Sequence, residues 1–281
     1  MISRAARRRL FSRFMTALTV LAAVIALAPL FAIFADLVLR GASSLNFDFF
    51  VQNPAAPGQT GGGVANAIVG TLIVVGVAAA IGLPLGIGGG VYLAEYGGGT
   101  FGVVVRFLAD VLNGTPSVIV GIFAWTWIVR PMGHFSALAG SLALAVLIIP
   151  MVTRTTEEMV RLVPHSLREA ALALGFPRWR TTAKIMVRAA WPGIVTGGLV
   201  AVARIAGETA PLLFTALGNL NFKTDVMQPM QTLSLQIYVF ATGPFEEWHR
   251  LAWGAALVLM AIVLLMGIAA RLATRTRFRD G

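Results

Sequence analysis

Arg204 and Glu208 stand four residues apart within an apolar run, a spacing that puts opposite charges on one helix face about one turn apart. On a water-facing helix such a pair carries little information. Inside an apolar span each charge costs about 2.5–3.5 kcal/mol on insertion scales, so such residues face each other or a pathway. The order, base before acid, is also the reverse of the helix-favouring one. Two uses fit these residues. They could form a neutralising pair that fixes span packing. Alternatively, Arg204 could hold an oxyanion through paired hydrogen bonds while Glu208 neutralises it between binding events. Thr115 and Ser117 flank Pro116 in another apolar run, where their hydroxyls either line a polar path or satisfy carbonyls freed by the proline. Gly197, Gly198, Ala201, Gly207 and Pro211 around the charged pair permit close helix approach or local bending.

Covalent chemistry has no comparable support. The sequence contains no cysteine, which removes thiolate catalysis, thiolate metal sites and disulfides. His134, His165 and His249 fall in three different loops, so no metal constellation forms. No serine has a histidine or acid at a recognised catalytic spacing. Neither a catalytic residue nor a metal ligand is expected.

The elements that must position Arg204, Glu208, Thr115 and Ser117 are membrane spans. Of 281 residues, 57% are hydrophobic and 12% charged, against about 25% charged in soluble domains. A water-soluble globular enzyme is thereby excluded. Six apolar runs have spanning length: Phe14 to Leu39, Val64 to Ala94, Val103 to Val129, His134 to Val152, Trp191 to Leu217, and Leu251 to Leu272. Period-2 alternation is missing, which excludes a barrel. The expected fold class is all-α and integral to the membrane, with six transmembrane helices and lipid as the surrounding partner.

The net charge of +10 is placed for orientation, not for nucleic acid. Basic residues concentrate in the N-terminus, near Arg106, between spans four and five, and in the tail from Arg271. The alternate segments hold only Arg40, Arg130, Lys223 and Arg250. Positively charged loops are retained in the cytoplasm, so both termini are expected there. Ala26-Leu27-Ala28 after the basic start has the look of a signal-cleavage site, but the apolar run continues to Leu39 without a polar region. An uncleaved anchor is expected. The stretches 40–63 and 218–250 read as external loops.

Between spans four and five, residues 153–190 leave the membrane and carry helix signals. Ser166 followed by Glu169 has the spacing of a capping box. The helix continues through Ala170 and Ala171 to Gly175, which suits the left-handed position past a helix end. Pro177 is then placed to open a second helix that bears Arg178, Trp179, Arg180 and Lys184.

Glu169-Ala170-Ala171, with Gly175 six residues after the glutamate and Ile185 and Pro192 beyond, resembles the EAA motif of type I (MetI-like) ABC importer permeases. That resemblance implies that Glu169, Ala170, Ala171 and Gly175 form a cytoplasmic coupling helix, which docks on an ATPase subunit and passes its movement to the spans. The proline lies farther downstream than in the commonest form of the motif. Three further runs, GVANAIVGT at 63–71, NGTPSVIVG at 113–121 and RIAGETAPLLFTA at 204–216, resemble the permease A family of phosphate importers. Composition and periodicity reach only an anion-compatible pathway; phosphate enters through the resemblance.

The resemblance implies a heterodimer with a second, homologous phosphate permease, two copies of a cytoplasmic ABC ATPase, and an external phosphate-binding protein, in a bacterial inner membrane. It implies a cytoplasmic basic N-terminus at 1–13, a first transmembrane helix at 14–39, a periplasmic loop at 40–63, a type I permease core at 64–272 and a cytoplasmic tail at 273–281. Lys184 and Lys223 are the only lysines, and neither follows a Gly-rich phosphate-cradling run. No cofactor is expected on this chain, and ATP-Mg belongs to the partner ATPase. Sulfate, molybdate or phosphonate as substrate, and a membrane enzyme or channel, are the alternatives.

Overall fold

The computed structural model describes residues 4–275; Arg277 and Arg279 of the expected basic tail lie outside the described residues. Among the described residues there is no strand, only two isolated bridges, Pro54 with Gly62 and Leu217 with Met230. In chain order the first helices are α1 (Arg4–Ala42), α2 (Phe47–Val51), α3 (Ala65–Tyr96) and α4 (Thr100–Gly114). After them come α5 (Ser117–Ala124), a π-helical stretch (Trp125–Val129), α6 (Arg130–Met132) and α7 (Ala137–Arg161). Next are α8 (His165–Ala173), α9 (Arg178–Arg180), a second π-helical stretch (Thr181–Met186) and α10 (Val187–Ala206). The series closes with α11 (Ala210–Leu213), α12 (Leu233–Ala241) and α13 (Glu246–Arg275).

Five of these helical segments are long and apolar enough to cross a membrane: α1, α3, α7, the continuous run Arg178–Ala206, and α13. The third expected span is not one helix. Its two limbs, Thr100–Gly114 and Ser117–Met132, meet at 103°. The cause is local: Pro116 lacks the amide that would continue the helix, and the residue before a proline is pushed into extended backbone, as Thr115 is at φ −76°, ψ 132°. Other boundaries also move. Span four continues past Val152 to Arg161, and the fifth segment begins at Arg178 and ends at Ala206. The two expected external loops each contain a helix: α2, which buries Phe49 completely, and α12, which buries Leu233, Leu235 and Phe240.

The bundle is centred on α3 and α7. In lipid no hydrophobic force drives two apolar helices together, so close packing of small residues must do it. Gly82, Gly86 and Gly90 recur every fourth residue on α3, and a Cβ at any of them would collide with Ile148, Val152 or Thr156 of α7. Packing thus explains this glycine-rich stretch. Val74, Ala78, Leu144, Ile148, Val152, Ala201, Ile205 and Leu212 complete the core around that seam. A second cluster, built from Phe49, Val64, Leu233, Phe240 and Leu251, closes one end. In contrast, α1 stands apart, with its apolar span unburied by the rest of the chain. It touches α13 near its C-terminus, where a Cβ on Gly41 would lie 2.8 Å from the Trp253 carbonyl oxygen.

Candidate functional site

Two helix breaks converge on one cavity of about 280 Å³, lined by Asn113, Thr115, Ser117, Arg204 and Glu208, with Leu147 and Met151 of α7 behind them. One water needs roughly 10–15 Å³ of such space, so a hydrated small ion fits. Leu147 and Met151 lie near the middle of α7, which sets the cavity well inside the span. Irregular backbone at such depth is tolerated where it is buried in protein or lines a water-filled cavity.

At the first break the Thr115 amide bonds to Leu112 O at 3.2 Å, and its hydroxyl donates to Val111 O at 2.8 Å. Thr115 therefore both lines the cavity and satisfies a carbonyl that the lost helical turn leaves open. Ser117 is the first residue of α5, whose N-terminus carries no side-chain cap. The aligned peptide dipoles give that end a partial positive charge suited to anions. Asn113 lines the cavity too.

At the second break α10 ends at Ala206, and Gly207 (φ −90°, ψ −4°) turns the chain. The expectation that Arg204 and Glu208 share a continuous helix face is therefore corrected: Arg204 is in the last turn of α10, and Glu208 lies beyond it. Among the described residues neither side chain has an ion-pair partner within 4.0 Å, so the neutralising pair is not formed. Both side chains face the same cavity, with Arg204 exposed and Glu208 half-buried. Ser234, at the start of α12, fixes the turn: its hydroxyl donates to Glu208 O at 2.9 Å, and the Thr209 hydroxyl donates to Ser234 O at 3.3 Å. No spacing in the sequence connects Ser234 to this turn.

The EAA segment folds as α8, but the capping box does not form. The helix begins at His165 after Pro164, with no side-chain cap, which leaves Ser166 inside the first turn. Its other end matches the expectation. Gly175 adopts φ +82°, Phe176 N bonds to Ala171 O at 3.1 Å and Gly175 N to Leu172 O at 2.9 Å, the two bonds of a Schellman termination. Pro177 precedes α9 as its cap and is not in the first turn. Glu169 and Ala170 are exposed, whereas Ala171 is buried. Leu167, Leu172, Leu174, Phe176 and Trp179 present apolar surface around them, with Leu174 77% and Trp179 61% exposed.

Charges that served only to orient the chain turn out to be organised. The Glu157 carboxylate, 1% exposed, receives Arg106 Nε at 2.6 Å, Arg154 Nη1 at 2.7 Å and Arg161 Nη2 at 2.8 Å. Arg154 also reaches Asp110 at 3.0 Å. On the neighbouring helix, Glu95 pairs with Arg168 of α8 and accepts the Thr182 hydroxyl at 3.3 Å. The three- and four-residue spacings of Arg154, Glu157 and Arg161 would have signalled part of this cluster had α7 been read to its full length. Among the described residues no group of His, Asp and Glu has the arrangement of a metal site.

A bundle of spanning helices broken around a polar cavity has the architecture of a membrane transport component. A sequence model of the binding-protein-dependent transport system inner membrane component family matches residues 86–278, and the chain belongs to that family. It is a multi-pass inner-membrane permease and not an enzyme. Among similar proteins is the phosphate transport system permease protein PstA of Yersinia pestis, 48% identical over 83% of this chain and 80% of that protein. PstA of Xylella fastidiosa is 44% identical over 94% and 93%, and PstA 1 of Mycobacterium tuberculosis 39% over 96% and 91%. Among solved structures, a bacterial alginate ABC transporter chain aligns with a TM-score of 0.71 at 15% identity, covering 98% of both chains. A chain of the MetNI methionine ABC transporter aligns at 0.58 and 19%, covering 76% of this chain and 93% of that one. These two likenesses show the fold alone, the all-α architecture expected.

Proposed function

We propose that this chain is a permease subunit of an ATP-driven phosphate importer. The observation that carries the reading is the convergence of Arg204 and the uncapped N-terminus of α5 on one mid-span cavity. Both favour an oxyanion, and the PstA relatives supply phosphate as its identity. Ser117 offers its hydroxyl to the same ion, beside Thr115, which lines the cavity with its own hydroxyl proton given to Val111 O. Glu208, unpaired with Arg204 and facing the same space, repels an anion and keeps its residence short, since conduction requires release as well as capture.

Arg204 is exposed on the isolated chain, which fits a pathway closed by a second, homologous phosphate permease. The apolar surface of α8 with Glu169, Ala170 and Ala171 fits docking on a separate cytoplasmic ATPase, present in two copies, which binds ATP-Mg and drives the lever. A periplasmic phosphate-binding protein would deliver the ion. This arrangement places α8 and both termini in the cytoplasm, consistent with the basic residues on that side. The permease performs no covalent step. Its residues lower the cost of moving an anion through oil and open the path alternately to the two sides.

The test is uptake by the reconstituted four-component complex, with sulfate, molybdate and phosphonate as competitors. Phosphate-specific uptake is expected. Transport indifferent to phosphate, or transport by the isolated chain without an ATPase, would overturn the reading.

A further inference from the structure

The coupling lever and the cavity are joined by a continuous line of charged contacts. At one end, Arg168 of α8 pairs with Glu95 in the last turn of α3, and Thr182 reaches the same carboxylate. That turn of α3 is held from its other side by Arg106 of α4, which donates Nη1 to Gly97 O at 2.8 Å and Nη2 to Leu93 O at 2.9 Å. The third nitrogen of Arg106, Nε, meets Glu157 of α7 at 2.6 Å. One turn further along α4, Asp110 is held by Arg154, which also holds Glu157. The same helix then delivers Leu112 and Asn113 to the cavity and ends at the 103° corner.

We infer that Glu157 is the positioning residue of transport: it holds the Arg106 fork that ties α4 to the end of α3 gripped by the lever, so that movement of α8 is passed to the Thr115–Pro116 corner and reshapes the cavity. Stability alone is a poor reason for the arrangement. A buried ion pair adds little net stability, and its best-attested use is to specify geometry. Here one buried carboxylate is surrounded by three guanidiniums from two helices, and the planar fork of Arg106 uses all three nitrogens on two further elements. Such a node fixes α4 in position and direction at once. Without it, Arg106 loses its tie to α7, and α4 keeps only the Asp110–Arg154 pair there. The inference rests on the importer reading, and its test separates the two.

The complex is prepared with the full chain and its partners. The native chain has no cysteine, so spin labels can be placed singly at Val111 on α4 or Ser166 on α8, each paired with a reference label at Val51. In the native complex ATP binding is expected to shift both distances. In Glu157→Gln the Ser166 distance should still respond, while the response at Val111 is lost. In Glu157→Asp, which keeps the charge, much of it should return. Phosphate moved per ATP hydrolysed should fall about tenfold in Glu157→Gln, within the range by which residues along a coupling route alter coupling. ATP hydrolysis itself should stay within about twofold of native, because the lever still reaches the ATPase. A Val111 response preserved in Glu157→Gln, or parallel loss of hydrolysis and uptake at an unchanged ratio, overturns the clamp. Native complex that hydrolyses ATP without moving phosphate would instead count against the substrate, while the distance measurement still decides the clamp.

Discussion

Gly121 of α5 lies against Pro211 of α11 so closely that a Cβ at Gly121 would stand 2.7 Å from Pro211 Cα and 3.2 Å from the Phe214 ring. Each of these helices follows one of the two breaks that frame the cavity. Their contact therefore locks the corner at Thr115–Pro116 to the turn at Gly207, and the cavity keeps its shape only while both stay in register. Gly121→Val should separate them. Overpacking of this kind costs about 1–3 kcal/mol, read as a lowered melting temperature of the detergent-solubilised complex, with uptake lost even where the complex survives.

Arg204→Ala removes the only basic side chain among the described residues that line the cavity. Its cost to the fold should be small, because Arg204 is exposed and no described ion pair depends on it. Phosphate uptake is expected to vanish while the complex copurifies intact. Arg204→Lys should restore little, since a point charge does not reproduce the planar fork. Normal uptake by the alanine variant would remove Arg204 from the pathway.

Gly175→Leu addresses the lever. At φ +82° a side chain costs roughly 1–2 kcal/mol, and the Schellman turn that ends α8 would unwind or shift. The expected outcome is weakened copurification of the ATPase, or hydrolysis uncoupled from uptake. An unchanged ratio of phosphate to ATP would separate this turn from coupling.

Ser234→Ala deletes the hydroxyl that holds the Glu208 carbonyl. A single hydrogen bond of this kind is worth about 0.5–1.5 kcal/mol. Uptake should therefore fall by about threefold to tenfold, with assembly unaffected. An initial-rate series in phosphate concentration distinguishes this from the complete loss expected of Arg204→Ala.

Gly86→Leu tests the seam of the fold. A Cβ there already stands 2.7 Å from Val152 Cβ, and the whole side chain has nowhere to go between α3 and α7. The chain should fail to accumulate in the membrane, as an immunoblot of membrane fractions would reveal; accumulation at the native level would mean that the two helices are not packed as described.

The class of molecule was legible in residue order alone because it depends on local quantities. Apolar runs of spanning length, the absence of cysteine and the one-sided placement of arginine need no knowledge of contacts, and neither does Gly175 as a helix stop. The motif runs carried the family for the same reason. What the residue order did not contain was distance. Arg204 and Glu208, four apart, are split by a helix end at Ala206, since Gly207 leaves a choice that Ser234 decides from the far side of a loop. Thr115 and Ser117 share a cavity with Arg204, and the close approach of Gly121 to Pro211 sets the two breaks side by side. Glu157 gathers arginines from 106 to 161. Periodicity determines that a segment is a helix and which solvent it prefers, but how two broken spans meet and which partners a buried charge finds follow from packing between segments remote in sequence. These were settled by the tertiary structure.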